Sequence, residues 1–176
     1  MMKKGLIHLY CGEGKGKTSA ALGLALRAAG RGLNVVILRL MKDCDSGELN
    51  SLRKLKSVII LPVPEKLKFV FQMTSEEKAL YRELVLELLK QAEAYVKNNQ
   101  ADVLIIDEAC SAVTTGILEL GELIEFLRNK KDELEVVLTG RNPPDELVGL
   151  ADYVSEIRKV KHPYDRDIGP RKGIEW

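Results

Sequence analysis

The stretch LIHLYCGEGKGKT, residues 6–18, joins a short apolar run to a glycine-rich loop and ends where a helical pattern begins. In a strand, loop and helix arranged in this way, backbone N–H groups and the helix N-terminus surround an anion. Glycines let the backbone curl around phosphates, Lys17 supplies an ammonium group, and the Thr18 hydroxyl can ligate Mg²⁺. The segment predicts a phosphate-binding loop, which this context favours over a plain glycine-rich turn.

The loop has an unusual spacing and an extra charge. The general motif places a glycine five residues before Gly16, where this chain has Cys11. Lys15 adds a second cation inside the loop, at a place that suits a polyanion. The loop is therefore shortened by one residue relative to the general motif.

Short apolar runs predict strands that are buried on both faces, as in a parallel sheet. They lie at residues 6–10, 35–38, 58–61, 103–106 and 136–138, with an alternating sixth run at 153–157 that suits an edge. Helical patterns between them cover residues 17–31, a long segment opened by Thr74, residues 119–129 and a short stretch after Pro144. The stripe of the long helix is Leu80, Leu84, Leu88, Ala92 and Val96, widened by Val85 and Leu89. This alternation predicts one α/β domain of three layers around a mainly parallel sheet of about six strands.

Composition narrows the range of partners. The 27 basic and 26 acidic residues nearly cancel, so no global field favours nucleic acid or a membrane surface. Cys11, Cys44 and Cys110 are odd in number and widely spaced, which disfavours a disulfide framework and a thiolate metal site. The N-terminus shows no signal peptide or membrane span. We expect a cytoplasmic protein with no nucleic-acid or membrane partner.

Asp107 and Glu108 follow an apolar strand pattern directly. Parallel α/β sheets place ligands at the carboxyl ends of their strands, so these acids should emerge beside the phosphate loop, where one can reach Mg²⁺ directly or through water. A strand-terminal acidic pair can instead cap the turn that follows it. With the phosphate loop present, metal binding is the favoured interpretation.

Other polar groups are not assigned to the site. Residues 129–132, Asn-Lys-Lys-Asp, match the guanine-reading motif of GTPases formally, but they end an amphipathic helical pattern instead of following a strand. They are interpreted as solvated charge at a helix end. His8 lies inside a strand pattern and His162 has no partner that the sequence can name, so neither is assigned to a metal.

Several segments together resemble one family, the P-loop type ATP:corrinoid (cobalamin) adenosyltransferases. The shortened loop is similar to that of the family, and so is Ile106-Asp107-Glu108. Further matches, in the right order, are Leu138-Thr139-Gly140-Arg141, residues 150–157, residues 160–165 and the terminal Gly173-Ile174-Glu175-Trp176. The resemblance covers nearly the whole chain.

The resemblance implies a single P-loop NTPase (RecA-like) domain over residues 1–176, with 158–176 as a C-terminal tail. It implies transfer of the 5′-deoxyadenosyl group of ATP to cobalt(I) of a reduced corrinoid, with triphosphate leaving. Cobalt(I) is already a strong nucleophile, so no general base or catalytic triad is expected. The implied catalytic residues are Lys17, Thr18 and Glu108, and Mg²⁺ would be held by Thr18, Glu108 and Asp107. The implied ATP and corrinoid contacts are Gly12, Glu13, Gly14, Lys15, Gly16, Lys17, Thr18, Ser19, Arg27, Arg141, Phe69 and Phe71.

Some of these assignments leave alternatives open. Phe69 and Phe71 stand where the family has an aromatic pair beside the corrin, yet an i, i+2 pair also suits a half-buried strand. Arg27 matches a family arginine, yet it also suits a solvated helix face. The tail suits an irregular flap over the site or a solvated end. Longer relatives carry an N-terminal extension that helps close the site, so we expect the tail or a second subunit to shield it here.

The family further implies a homodimer, a cobalamin or cobinamide-type acceptor and a reduced flavoprotein as electron donor. Two other functions fit the loop alone. A small P-loop kinase or ATPase would act at the γ-phosphate and release ADP. A non-catalytic, nucleotide-gated module would bind without turnover.

Overall fold

The computed structural model of the chain describes residues 4–42 and 46–175, so Cys44 and the terminal Trp176 lie outside the described residues. Within these residues the strands are β1 (Ile7–Cys11), β2 (Val35–Arg39), β3 (Val58–Ile60), β4 (Val103–Asp107), β5 (Glu135–Thr139) and β6 (Tyr153–Glu156). They form one parallel sheet in the order β3-β2-β4-β5-β1-β6. The predicted six-stranded parallel sheet is confirmed, and β6 lies at an edge as expected.

The helices connect these strands. They are α1 (Lys17–Ala29), α2 (Gly47–Leu52), α3 (Ser75–Lys97), α4 (Ala109–Thr114), α5 (Leu120–Arg128) and α6 (Asp145–Leu150), with 3₁₀ turns at Val70–Gln72 and Pro163–Arg166. Helices α2 and α4, each of six residues, were not predicted, because so short a segment shows too little periodicity to be recognised; α6 is equally short, but Pro143 and Pro144 marked its start. None of the described helices combines the length and the apolar character that crossing a bilayer requires.

Two apolar clusters lie on opposite faces of the sheet. Val35 and Ile37 of β2 pack with α1, whereas Val36 and Leu38 of the same strand pack with α3, α4 and α5. Continuous apolar runs are what a strand needs when helices cover both of its faces. The three predicted layers follow from this pattern.

The predicted stripe of α3 is wrong at its N-terminal end. Leu80 is 67% exposed, and Tyr81 is buried in its place and accepts a hydrogen bond from the Met41 amide. Steps of four residues overshoot a helical turn by about 40° each, so Leu80 and Val96 fall on nearly opposite faces. The N-terminus of α3 is as predicted: Thr74 and Glu77 form a reciprocal capping box.

Candidate active site

The glycine-rich loop packs on one side and is open on the other. Gly14 donates its N–H to the carbonyl of Ile157 at 2.7 Å, and a Cβ on Gly14 would lie 2.7 Å from the same oxygen. Gly16 has a φ of 117°, and a Cβ there would meet nothing within 4 Å. The loop therefore rests against the chain that follows β6 and leaves a cradle open at the start of α1.

Lys17 lies at this cradle and is almost fully buried. Its Nζ donates to the carbonyls of Gly12 at 2.6 Å and Gly14 at 2.9 Å. Burial lowers the pKa of Lys17, and the nearby Arg141 guanidinium lowers it further, against the opposing charges of Glu108 and Glu13. An incoming polyanion would restore the preference for the charged form.

Thr18, Asp107 and Lys42 meet beside the loop. Asp107 is fully buried, and its Oδ1 accepts hydrogen bonds from Thr18 at 2.9 Å and from Thr139 at 2.6 Å. Lys42 places its Nζ 2.7 Å from Thr18 Oγ1 and 2.7 Å from Asp107 Oδ2. A positive charge thus lies between the hydroxyl and the carboxylate predicted to bind Mg²⁺.

Glu108 has a left-handed backbone, with φ 60° and ψ 26°, directly after β4. This conformation is costly for a residue with a side chain and is concentrated at functional sites. Its N–H donates to Thr139 Oγ1 at 2.8 Å, and its carboxylate accepts from Ser111. Glu108 occupies the N-cap position of α4, but its side chain makes no capping hydrogen bond and instead lines the cavity described next.

A cavity of about 940 Å³ collects half of the predicted site residues. Its walls include Lys15, Gly16, Lys17, Thr18, Ser19, Glu108 and Phe69, together with Arg39, Lys42 and Glu48, which were not predicted. The volume lies near the upper end of the range for cofactor sites. The cavity therefore has room for more than a polyphosphate chain.

Phe69 and Phe71 lie at the 3₁₀ turn Val70–Gln72 and not in a strand. They are 70% and 81% exposed, with parallel rings whose centroids are 5.5 Å apart. The alternative of a half-buried strand is therefore wrong. Phe69 lines the cavity, and Phe71 stacks on it from outside the lining.

The C-terminal tail contacts the loop. Lys15 Nζ lies 2.8 Å from Glu175 Oε1 and 3.2 Å from the carbonyl of Ile174. Hydrogen bonds from Arg171 and Lys15 lower the pKa of Glu175 to about 2. Of the two alternatives for the tail, contact with the site is what the structure shows, and Gly173, Ile174 and Glu175 line the cavity.

Two further arginines differ in position. Arg141 donates to Glu13 of the loop at 2.8 Å, so the structure brings it to the site. Arg27 is exposed in the last turn of α1, about 15 Å along the helix from Lys17, and does not line the cavity. Its position agrees with the solvated-face alternative.

The formal guanine motif lies at the wrong edge of the sheet. Asn129 caps α5, and Lys130 donates to the carbonyls of Gly5 and Leu134, just before β5 begins. The phosphate loop follows the carboxyl end of β1, and the strands are parallel. The interpretation of these residues as helix-end charge is confirmed, except that Lys130 is half-buried against backbone carbonyls and not fully solvated.

His8 and the cysteines have structural surroundings. The His8 ring pairs with Glu135 and stacks on Tyr153 with centroids 4.6 Å apart. Cys11 and Cys110 are buried free thiols, and burial raises the pKa of Cys110 to about 12. No group of three or more His, Cys, Asp or Glu side chains within residues 4–42 and 46–175 is placed to hold a metal ion.

Arg39 and Lys42 were missed, although a usable signal was present. Both follow the apolar run of β2, and a polar residue at the carboxyl end of a buried parallel strand is the same signal that identified Asp107. Arg39 pairs in register with Asp107 across β2 and β4. Neither residue belongs to a short motif.

Comparisons with known proteins agree with this geometry. The sequence model of the family described as ATP:corrinoid adenosyltransferase BtuR/CobO/CobP matches residues 3–176. The corrinoid adenosyltransferase of Escherichia coli (strain K12) is 30% identical over 175 residues, which cover 99% of this chain and 87% of that protein. Corrinoid adenosyltransferase CobA of Salmonella typhimurium is 29% identical over 180 residues, with 99% and 87% covered.

A solved structure shares the fold. A KaiC-like protein from the archaeon Pyrococcus horikoshii OT3 superimposes with a TM-score of 0.54 at 18% identity, covering 88% of this chain and 73% of that one. This likeness shows the predicted P-loop (RecA-like) α/β architecture and nothing about activity.

Proposed function

Because this chain belongs to the ATP:corrinoid adenosyltransferase family, it is a transferase that moves adenosyl from ATP to a corrinoid, and we propose how its residues divide that work. The single observation that carries the proposal is the 940 Å³ cavity, which has the phosphate loop on one wall and the exposed Phe69, stacked with Phe71, on another. The loop would hold the leaving group, and the aromatic surface would hold the acceptor.

The loop binds the triphosphate of ATP in this proposal. The open cradle at Gly16, the ammonium of Lys17 and the N-terminus of α1 all favour an anion at one point. Lys15 adds a second ammonium once it exchanges Glu175 for phosphate oxygens. Positive charge placed beforehand where negative charge develops on the departing triphosphate lowers the barrier without a general base.

The donor set beside the loop fits Mg²⁺. Thr18 Oγ1 and Asp107 Oδ2 are hard oxygen donors, and Lys42 Nζ already places a cation 2.7 Å from each. Glu108 lines the same cavity and can join them. A bound Mg²⁺ would neutralise charge on the triphosphate. The protein's part is to hold these oxygens in place and to move Lys42 aside.

Phe69 and Phe71 would contact the corrinoid. Two exposed parallel rings offer an apolar face that suits a large flat macrocycle. Packing there would exclude the lower axial ligand of cobalt and ease its reduction to cobalt(I). A reduced flavoprotein would supply the electron, in keeping with the family resemblance.

The remaining proposals concern organisation. The whole chain would act as one domain, with residues 158–176 as a tail that covers the loop through Glu175. The acceptor would be cobalamin or a cobinamide-type corrinoid, and the protein would act as a cytoplasmic homodimer. Sedimentation would test the last point, since a monomer under assay conditions would contradict it.

Product identity tests the reaction. Incubation with MgATP and chemically reduced cobalamin should give a light-sensitive adenosylated product and triphosphate. Release of ADP would point instead to a kinase or ATPase at the γ-phosphate, and binding without consumption would point to a gated module. Lys17→Ala should abolish turnover with the fold retained, whereas Lys90→Ala, on the exposed face of α3, should not. Unchanged turnover in Lys17→Ala would refute the assignment of the loop.

A further inference from the structure

Arg39 is a buried cation with free donors. Its side chain is only 2% exposed, yet within residues 4–42 and 46–175 neither Nε nor Nη1 has a hydrogen-bond partner. These two nitrogens carry more than half of the N–H donors of a guanidinium. Buried donors of this kind are normally satisfied, so the arrangement needs an acceptor that the described chain does not supply.

Arg39 lies in the wall of the large cavity and close to the nucleotide residues. Its register partner across the sheet is Asp107, one strand spacing of about 4.8 Å away. Asp107 in turn accepts from Thr18, the residue that follows the loop lysine. The guanidinium is therefore at the same edge of the sheet as the phosphate loop, but on a different strand.

Among the described residues, the acid paired with Arg39 is Glu48, and it compensates the charge of the guanidinium only in part. Glu48 Oε1 is 3.6 Å from Arg39 Nη2, beyond hydrogen-bond distance, and that oxygen accepts from Ser46 Oγ at 2.6 Å. Burial pushes the pKa of Glu48 upward, but hydrogen bonds from Ser46 and the backbone, with the charges of Arg39 and Lys42, outweigh it and lower the pKa. Glu48 therefore supplies a negative charge near Arg39, but none of its oxygens is close enough to accept a hydrogen bond from the guanidinium.

We propose that Arg39 forms a second oxyanion subsite of this cavity, separate from the glycine-rich loop. This subsite binds phosphate oxygens of the polyphosphate chain of ATP. Phosphate oxygens bring both the acceptors and the negative charge that the guanidinium needs. A neutral carboxamide at the edge of a corrinoid would bring acceptors alone. The inference rests on the proposed function, and it adds that the leaving group is held from two strands, β1 through the loop and β2 through Arg39.

Inorganic tripolyphosphate is the probe, because it carries the phosphate oxygens without adenosine or corrinoid. Calorimetric titration of the full chain with Arg39→Met should show affinity about tenfold to a hundredfold weaker than the wild type, the usual range for hydrogen bonds to charged groups. Arg53→Met removes the same charge at an exposed residue outside the cavity and should change the affinity less than twofold. Affinity for hydroxocobalamin should be unchanged in both variants.

Ligand-free stability provides a second readout. Methionine replaces an incompletely paired buried cation, so Arg39→Met should melt at or above the wild-type temperature, and tripolyphosphate should raise that temperature less than it does in the wild type. Arg39→Lys keeps the charge but loses the planar fork, and should bind tripolyphosphate with intermediate affinity. This variant keeps the test informative if methionine disturbs the fold.

Failure of the Arg39 subsite and failure of the proposed function would give different results. Tripolyphosphate affinity in Arg39→Met within twofold of the wild type, while Lys17→Ala loses it, would overturn the Arg39 subsite and leave the loop assignment standing. A loss of hydroxocobalamin affinity in place of tripolyphosphate affinity would also overturn it and assign Arg39 to the corrinoid. A wild-type chain that bound neither tripolyphosphate nor ATP would overturn the proposed function itself.

Discussion

Lys42 and Asp107 form an ion pair whose strength can be measured. Asp107 is 1% exposed and Lys42 26% exposed, with Nζ 2.7 Å from Oδ2. At that distance the Coulomb attraction is about 6 kcal/mol for an effective dielectric constant of about 20. Desolvation offsets much of it. Exposed pairs contribute below about 1 kcal/mol, and breaking a buried pair costs about 3 to 5 kcal/mol. We therefore expect a coupling energy of about 2 to 3 kcal/mol.

A double-mutant cycle of Lys42→Met and Asp107→Asn isolates this coupling. Urea unfolding followed by circular dichroism would provide the four free energies of unfolding. Asparagine keeps an acceptor for Thr18 and Thr139, so the loss in Asp107→Asn reports mainly the missing charge. The decrease in the free energy of unfolding caused by Asp107→Asn should be much smaller in a protein that already carries Lys42→Met.

The exposed pair of Lys97 and Glu93, 3.0 Å apart on α3, provides the matched control. Its cycle should yield about 0.3 to 0.5 kcal/mol, as is usual for exposed pairs one helical turn apart. A Lys42–Asp107 coupling as small as that of the control would refute the reasoning. The ammonium would then not be held at the proposed cation position.

Three further predictions concern the loop, the aromatic pair and the tail. Gly14→Ala should lower the free energy of unfolding by about 2 kcal/mol, because its Cβ would lie 2.7 Å from a backbone oxygen. In the control Gly23→Ala, inside α1, the new Cβ meets nothing, so the free energy of unfolding should rise by up to about 1 kcal/mol. Equal changes in the free energy of unfolding of the two variants would contradict the packing of the loop. Phe69→Ala and Phe71→Ala should change stability by less than about 0.5 kcal/mol but raise KM for the corrinoid, and an unchanged KM would remove the pair from the site. The folded pKa of Glu175, about 2, lies below its ordinary 4.5, so the contact with Lys15 should persist above about pH 4.5 and be lost as the pH falls toward 2. Carboxyl NMR would record this titration, and a midpoint near 4.5 would show that the tail is undocked.

Local pattern was sufficient for the sheet, the loop and the longer helices. Strands β1 to β5 are short apolar runs because helices cover both faces of the sheet there, so each run is readable without its neighbours, whereas the edge strand β6 is exposed. The phosphate loop was equally readable, since its glycines, Lys17 and Thr18 are consecutive. The family resemblance also rests on such contiguous segments. The α3 stripe failed at Leu80 because a period of four departs from the helical period over that length.

Only the tertiary structure decided which separate residues meet. Lys42 and Arg39 reach the site through the pairing of β2 with β4, and Glu175 reaches Lys15 from the far end of the chain. The tertiary structure also placed Arg27 outside the cavity and left Phe69 exposed in the cavity lining, stacked with Phe71. These outcomes depend on strand order and side-chain burial. A linear pattern carries neither, because it records the neighbours of a residue along the chain and not across the sheet.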